Sequence, residues 1–237
     1  MSGQQKSEYA EILLSCIEDS YYKEEMALEF HSFARVVSGE MKVIQADNTY
    51  TFTAGDTLIF PANQLSTLIK SPKDGLPYKA VVIFFTPERL KAFYTKNPGK
   101  RTAPHTHKIK TFAKHPMLES FFASLIPYFD LESELPEKIM AIKIEEALTI
   151  LRTIDKDIDQ LMVDFSEPHK INLAAFMEKN YMHNLTMEKF GHLTGRSLTT
   201  FKRDFKKSFN TTPKKMVTPK KTGACPLPII PKKAKPN

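Results

Sequence analysis

Five polar or basic side chains near the C-terminal end of the chain have the types and spacing that suit recognition of double-stranded DNA. They are Thr199, Lys202, Arg203, Lys206 and Lys207. Intervals of three and four residues place them on one side of a predicted helix. The first three could read base edges in a major groove, with Arg203 paired to guanine, and the last two could meet phosphates. A basic face that is merely solvated is the alternative interpretation.

The other side of the same helix carries an apolar stripe that is expected to be buried. Its members are Leu198, Phe201, Phe205 and Phe209. Ser197 is the predicted N-cap, and the amide end that it marks could bind a further phosphate. The predicted helix runs from Leu198 to about Ser208, with Asp204 as its one acidic residue.

A shorter helix is predicted directly before this one, from Met187 to Leu193, with Thr186 as its N-cap. Gly195 lies in the intervening turn, where a positive φ is easily adopted. Gly191 stands four residues earlier, where two closely crossing helices require a small side chain. The segment therefore predicts a helix-turn-helix that presents its second helix to DNA.

The stretch GRSLTTFKRDFKKSFNTTPKK resembles the first DNA-binding subdomain of the AraC/XylS family of bacterial transcription regulators. The resemblance is carried by Ser197, Phe201, Arg203, Phe205, Asn210, Thr212 and Pro213. It implies base contacts from Leu198, Thr199, Lys202 and Arg203. The residues themselves add phosphate contacts from Ser197, Lys206 and Lys207.

The distribution of charge is consistent with a polyanionic partner. The net charge of the chain is +7. From residue 196 to residue 237 there are twelve Lys or Arg and one acid, so this end carries +11, and the remaining residues carry −4. A mildly acidic body with a strongly basic end favours binding to nucleic acid, although a solvated basic tail would have the same composition.

Short β-branched and aromatic runs separated by turn residues fill the segment from Phe30 to Phe85. This pattern predicts an antiparallel sandwich or barrel, which resembles the cupin-like sensor domain of the same family. Residues 1–29 have a helical pattern at first. Thr86 and Pro87 begin a helix that closes the domain.

Helical periodicity returns after residue 116, and the apolar face that it forms is broad. Such a face needs a covering partner, either the preceding domain or a second copy of the chain, and the resemblance implies dimerisation helices. The fold class is thus α+β: an antiparallel cupin-like barrel, helical dimerisation elements and one all-α helix-turn-helix subdomain. The predicted units are an effector-binding domain (1–95), a linker (96–116), a dimerisation region (117–165), a helix-turn-helix (166–216) and a Pro/Lys-rich tail (217–237).

The tail departs from the family pattern. The family joins two helix-turn-helix units by a long helix, but Met216 stands where a large aromatic is expected and Pro219 prevents a continuous helix. We expect the second unit to be missing. The tail could be a frameshifted or prematurely ended segment, the end of a naturally shortened regulator, or a basic arm for A·T minor grooves.

Enzymatic chemistry is not expected. A catalytic cupin needs convergent histidines, but Ser66 stands where one would fall and His31 alone is insufficient. His105 and His107 have metal-ligand spacing, yet their basic, proline-bearing loop favours exposed histidines, so we expect neither metal nor cofactor. Arg35 alternates with Phe33 and Val37 and could point into the barrel towards an effector, or outwards.

These patterns predict a bacterial sequence-specific regulator whose partners are double-stranded DNA, a possible small-molecule effector in the barrel and a second copy of the chain. The alternative is a small-molecule-binding or interaction protein whose DNA-binding end is a non-functional remnant. No apolar run is long enough for a bilayer, and the first residues lack a secretory pattern. Cys16 and Cys225 are expected to be free thiols of a reducing compartment, so we expect a cytoplasmic protein.

Overall fold

The computed structural model describes residues 11–17, 21–45, 48–99, 108–130, 135–163, 170–181, 183 and 185–213. Within these residues, none of the helices combines the length and the apolar character that a membrane span needs. The described part of the chain consists of a two-sheet β domain, a set of helices on its outer face, and a three-helix unit.

Among the described residues, the β domain contains nine antiparallel strands in two sheets. The strands are β1 (Ile12–Ile17), β2 (Tyr22–Leu28), β3 (His31–Ser38), β4 (Glu40–Ile44), β5 (Thr49–Thr53), β6 (Thr57–Phe60), β7 (Gln64–Ser71), β8 (Tyr78–Phe85) and β9 (Lys110–Phe112). One sheet has the order β1-β8-β3-β6-β9 and the other has the order β2-β7-β4-β5. The predicted series of short strands and turns from residue 30 to residue 85 is confirmed.

Alternation along β3 shows how the β domain builds two cores. Ala34 and Val36 lie between the two sheets, in a core that also contains Leu58, Val43 and Met41. The neighbouring residue Phe33 faces the other way and packs among the helices. Successive strand residues point to opposite faces, so a single strand contributes to both cores.

In the part of the chain that the structure describes, seven α-helices follow the strands or lie between them. They are α1 (Pro87–Lys96), α2 (Pro116–Leu125), α3 (Glu137–Ile154), α4 (Ile158–Met162), α5 (Leu173–Asn180), α6 (Met187–Leu193) and α7 (Leu198–Phe209). The side chain of Thr86 accepts from the backbone N–H of Arg89, as expected for the N-cap of α1. A third helix of the C-terminal unit, α5, precedes α6 and α7 and is capped by Asn172.

The first four helices cover the outer face of the five-stranded sheet. Buried side chains of α2 and α3, among them Phe122, Leu148 and Leu151, form one core with Phe33 and Ile83 of the sheet. The preceding domain therefore covers much of the apolar face that the sequence pattern predicts for residues 117–165. Burial of these apolar side chains between the helices and the sheet supplies the hydrophobic stabilisation that holds the two together.

Two local predictions are wrong. The helical pattern expected near the start of the chain does not hold for Ile12–Ile17, which pairs with β8, and Tyr22–Leu28 also forms a strand, which pairs with β7. The expected linker 96–116 contains β9, which pairs with β6 and extends the sheet.

Candidate nucleic-acid interface

The predicted helix-turn-helix is formed by α6 and α7, and its N-caps are those expected. The hydroxyl of Thr186 accepts from the backbone N–H of Lys189, and the hydroxyl of Ser197 accepts from that of Thr200. Each cap satisfies an amide that the first helical turn leaves without an intrahelical partner. At the other end of α7, Asn210 adopts a left-handed conformation with φ 53°, a common way to end a helix.

The turn between the two helices depends on two glycines. Gly195 has φ +65°, a backbone conformation that is strained for residues with a side chain but not for glycine. A Cβ at Gly191 would lie 2.9 Å from the backbone oxygen of Arg196. The backbone oxygen of Gly191 also accepts from the N–H of Arg196 at 2.9 Å. Both predicted roles, positive φ and close approach, are confirmed.

Phenylalanine rings form the core between the helices. Phe201 and Phe205 are fully buried, and the ring of Phe201 stacks on that of Phe190 at a centroid distance of 6.3 Å. Phe209 continues the stripe at 4.6 Å from Phe205. Leu198 is only half-buried, so it stands at the edge of the predicted buried stripe. The same position is consistent with its expected place beside the DNA-reading residues.

The outer side of α7 is exposed and basic. Its exposed residues are Thr199, Lys202, Arg203, Lys206 and Lys207. Thr199, Lys202, Arg203 and Lys206 follow the spacing i, i+3, i+4 and i+7, so they form one continuous surface. Ser197 is exposed at the start of the helix and forms its N-cap. The structure thus brings the predicted base and phosphate contacts together on one surface.

A second arginine, which the sequence analysis missed, lies behind this surface. The side chain of Arg196 is 10% exposed and donates to Asp204 at 3.1 Å, and also to the backbone oxygens of Thr194 and Ile171. Arg203 donates to the other oxygen of Asp204 and is 73% exposed. The hydrogen bond from Arg196, reinforced by Arg203, lowers the pKa of Asp204. Charge alone does not distinguish the two arginines, because only the fold decides which one is buried.

The β domain contacts the helix-turn-helix unit directly. Leu65 of β7 is buried in the same core as Phe190 and Leu193. Nδ1 of His183, in the connection between α5 and α6, lies 3.9 Å from a carboxylate oxygen of Glu25 on β2. No local sequence pattern marks this contact, since its residues are far apart in the chain.

The candidate effector residue points away from the barrel interior. Ala34 and Val36 face the space between the sheets, so Arg35 lies on the outer face, where its guanidinium donates to Glu119 of α2 at 2.6 Å. Of the two directions that the sequence left open for Arg35, the structure has the outward one. His31 accepts from the backbone N–H of Ala62 through Nδ1.

Other sequence predictions fall beyond the described residues. His105 and His107 lie there, as does the whole segment 214–237 with its Pro/Lys-rich tail. Within the described residues, no group of three or more His, Cys, Asp or Glu is arranged to hold a metal ion.

Comparison with known proteins agrees with this two-part architecture. Residues 31–162 match the model of the ExsA N-terminal regulatory domain, and residues 177–218 match the bacterial regulatory helix-turn-helix proteins of the AraC family. Among curated protein sequences, none matches significantly.

Solved structures of ToxT from Vibrio cholerae have a similar fold. An apo form of a lysine variant from strain SCE256 is 9% identical, with 88% of this chain and 97% of that chain covered and a TM-score of 0.50. An unsaturated fatty acid bound form of wild-type ToxT is 12% identical, with 88% and 95% covered and a TM-score of 0.45.

An N-terminal regulatory β domain that packs against an AraC-type helix-turn-helix with an exposed basic face defines a DNA-binding transcriptional regulator. The chain belongs to the AraC family of these regulators, among the members that carry the ExsA N-terminal regulatory domain.

Proposed function

We propose that α7 reads the DNA sequence through Leu198, Thr199, Lys202 and Arg203. One observation carries this proposal: the caps, glycines and phenylalanine core of the helix-turn-helix leave this surface of α7 exposed and basic. A helix held in this way fits the major groove of B-DNA, where a bidentate arginine discriminates guanine. Ser197, Lys206 and Lys207 bind the flanking phosphates and set the position of the helix.

The test is a binding series on DNA selected from a random pool with the full chain. For wild type, the logarithm of the affinity should fall steeply as the logarithm of the salt concentration rises, because each neutralised phosphate releases counterions. Arg203→Ala should relax the preference at one base pair, at a cost of about 1–3 kcal/mol on the preferred sequence.

Lys206→Ala should behave differently from the arginine variant. Loss of a phosphate contact weakens all sequences about equally and reduces the salt slope by about 1. Lys42→Ala, which removes an exposed lysine from strand β4, is the matched control and should leave both quantities unchanged. If the protein shows no binding to duplex DNA at low salt, the result favours the alternative, a ligand-binding or interaction protein with a non-functional DNA-binding end.

We also propose that two copies associate through α2 and α3. Met117 and Ile142 are 38% and 57% exposed, and they border a cleft of about 680 Å³ between these helices. Exposed apolar side chains that share one groove are typical of an interface. A dimer places two recognition helices on one DNA and raises the affinity by avidity.

The remaining elements of the proposal follow from the role of a regulator. The protein acts in the cytoplasm, where bacterial DNA lies, and the β domain serves as a sensor of a small molecule rather than as an enzyme. The non-enzymatic role is supported by the chemistry of His31 and Ser66. Nδ1 of His31 already accepts a hydrogen bond from a backbone N–H. Ser66, which stands where a catalytic cupin has a histidine, accepts a hydrogen bond from the side-chain amide of Gln45.

A further inference from the structure

Arg35 lies at the edge of an open cleft between the β domain and the start of α2. The cleft has a volume of about 610 Å³, within the range of small-molecule sites. Gly55 forms one wall, Ser120 of α2 forms another, and Lys114 adds a second positive charge. The cleft therefore combines space, two cations and a hydroxyl donor.

The guanidinium of Arg35 is held ready for a carboxylate. Its side chain is 13% exposed, and its central carbon lies 5.8 Å from the centre of the Phe122 ring. The ring restricts the planar guanidinium, and a pre-positioned arginine fork matches a carboxylate in geometry as well as charge. Little side-chain entropy is then lost when an anion arrives.

Arg35 already forms an ion pair with a carboxylate of the chain itself. Glu119 accepts from Arg35 at 2.6 Å, and this hydrogen bond lowers the pKa of Glu119. The side chain of Glu119 is 48% exposed, so it can return to water at little cost. An incoming carboxylate would replace it without leaving a charge unpaired.

We propose that this cleft binds a small carboxylate-bearing molecule, which displaces Glu119 from Arg35. Lys114 attracts the anion, Ser120 donates to it, and the rest of the ligand extends along Gly55. The site is separate from the space between the two sheets and from the DNA-reading surface. Its existence therefore does not depend on DNA binding.

Benzoate is a suitable probe, and benzamide is its neutral counterpart. In a buffer free of other carboxylates and of phosphate, titration of ¹⁵N-labelled full chain is followed at the backbone amides of Gly55 and Ser120. Benzoate should shift both amides to saturation, and benzamide should not. Absence of a saturable shift with benzoate, or an equal response to benzamide, would overturn the proposal.

Variants identify the residues that bind the probe. Glu119→Gln removes the competing carboxylate and should tighten benzoate binding by about two- to fivefold, whereas Glu40→Gln, which breaks the exposed pair with Lys73, should leave it unchanged. Arg35→Gln should weaken binding by about tenfold or more.

Two further measurements guard against indirect effects. Arg35→Lys keeps the charge without the fork and should retain weak binding, and thermal melting shows whether each variant is folded. Equal benzoate affinity in wild type and in folded Arg35→Gln would contradict the proposal, as would equal tightening by Glu119→Gln and Glu40→Gln.

Discussion

The guanidinium of Arg196 donates to Oδ2 of Asp204 at 3.1 Å across the turn of the helix-turn-helix. Arg203 donates to Oδ1 of the same carboxylate. The two arginines differ in exposure, at 10% and 73%. Arg196 ties the turn to α7, whereas the exposed Arg203 is the one that we propose to contact DNA.

Arg196→Ala should destabilise the helix-turn-helix. It removes the hydrogen bonds to Asp204, Thr194 and Ile171 from a mostly buried group, so we expect a loss of about 1–3 kcal/mol in the free energy of unfolding. Arg203→Ala is the natural comparison and should change this free energy by less than about 0.5 kcal/mol. Urea unfolding of both variants measures the difference, and equal stabilities would contradict the assigned roles.

The same carboxylate gives a pH dependence of known sign. The pKa of Asp204 is lowered in the folded protein, so its contribution to stability is present above the unfolded pKa of about 3.9. The contribution is lost as the pH falls through the lower, folded value. In Asp204→Asn this part of the acid dependence should disappear, which unfolding curves between pH 2 and pH 5 would detect.

Gly191→Ala should destabilise the unit although alanine is the better helix former. The preference for alanine is worth about 1 kcal/mol, but the added Cβ would lie 2.9 Å from the backbone oxygen of Arg196. That oxygen cannot move without opening the turn, so we expect a net loss of about 1–3 kcal/mol and weaker DNA binding. Lys189→Ala, on the exposed side of the same helix, should change neither quantity by more than a small amount. A Gly191→Ala protein as stable as wild type would show that the helices can separate freely.

Ile142→Arg should disrupt the proposed dimer. The side chain is 57% exposed in the groove between α2 and α3, and a charge there would have to be buried on association. Leu76→Arg is a matched control, because Leu76 is equally exposed but lies in the loop between β7 and β8. Sedimentation should give a monomer for the first variant and the wild-type state for the second. If both variants sediment as wild type, the dimer does not use this groove.

Local chemistry made the helix-turn-helix predictable. Thr186, Ser197 and Gly195 are caps and turn residues whose conformations depend mainly on their neighbours in the chain. By contrast, Ile12–Ile17 is a strand because β8 offers it a pairing edge, and that edge is distant in sequence. The periodicity of a single short apolar run does not distinguish a buried strand from a helix.

The candidate effector residue shows a second limit. Alternation along β3 correctly separates Phe33 and Arg35 from Ala34 and Val36. It cannot say which set faces the second sheet, because both faces of β3 are covered, one by strands and the other by helices. The direction of Arg35 depends on where α2 packs, which is a tertiary property.

The contact between the β domain and the helix-turn-helix unit should weaken as the pH falls. Burial lowers the pKa of His183, against the opposing attraction of Glu25 and with a further decrease from Lys23. A histidine whose folded pKa lies below its unfolded value of about 6.5 stabilises the fold above that value. This contribution is lost as the pH decreases towards the folded pKa, because protonation then requires the charged ring to leave its site.

Unfolding measurements between pH 5 and pH 8 test this sign. The free energy of unfolding should rise with pH in wild type, and the rise should be smaller in His183→Gln. His192→Gln removes an exposed histidine of α6 and should retain the wild-type dependence. If the free energy of unfolding falls more steeply on acidification in His183→Gln than in wild type, the attraction of Glu25 has a larger effect on the pKa of His183 than burial has. Protonated His183 would then strengthen the contact.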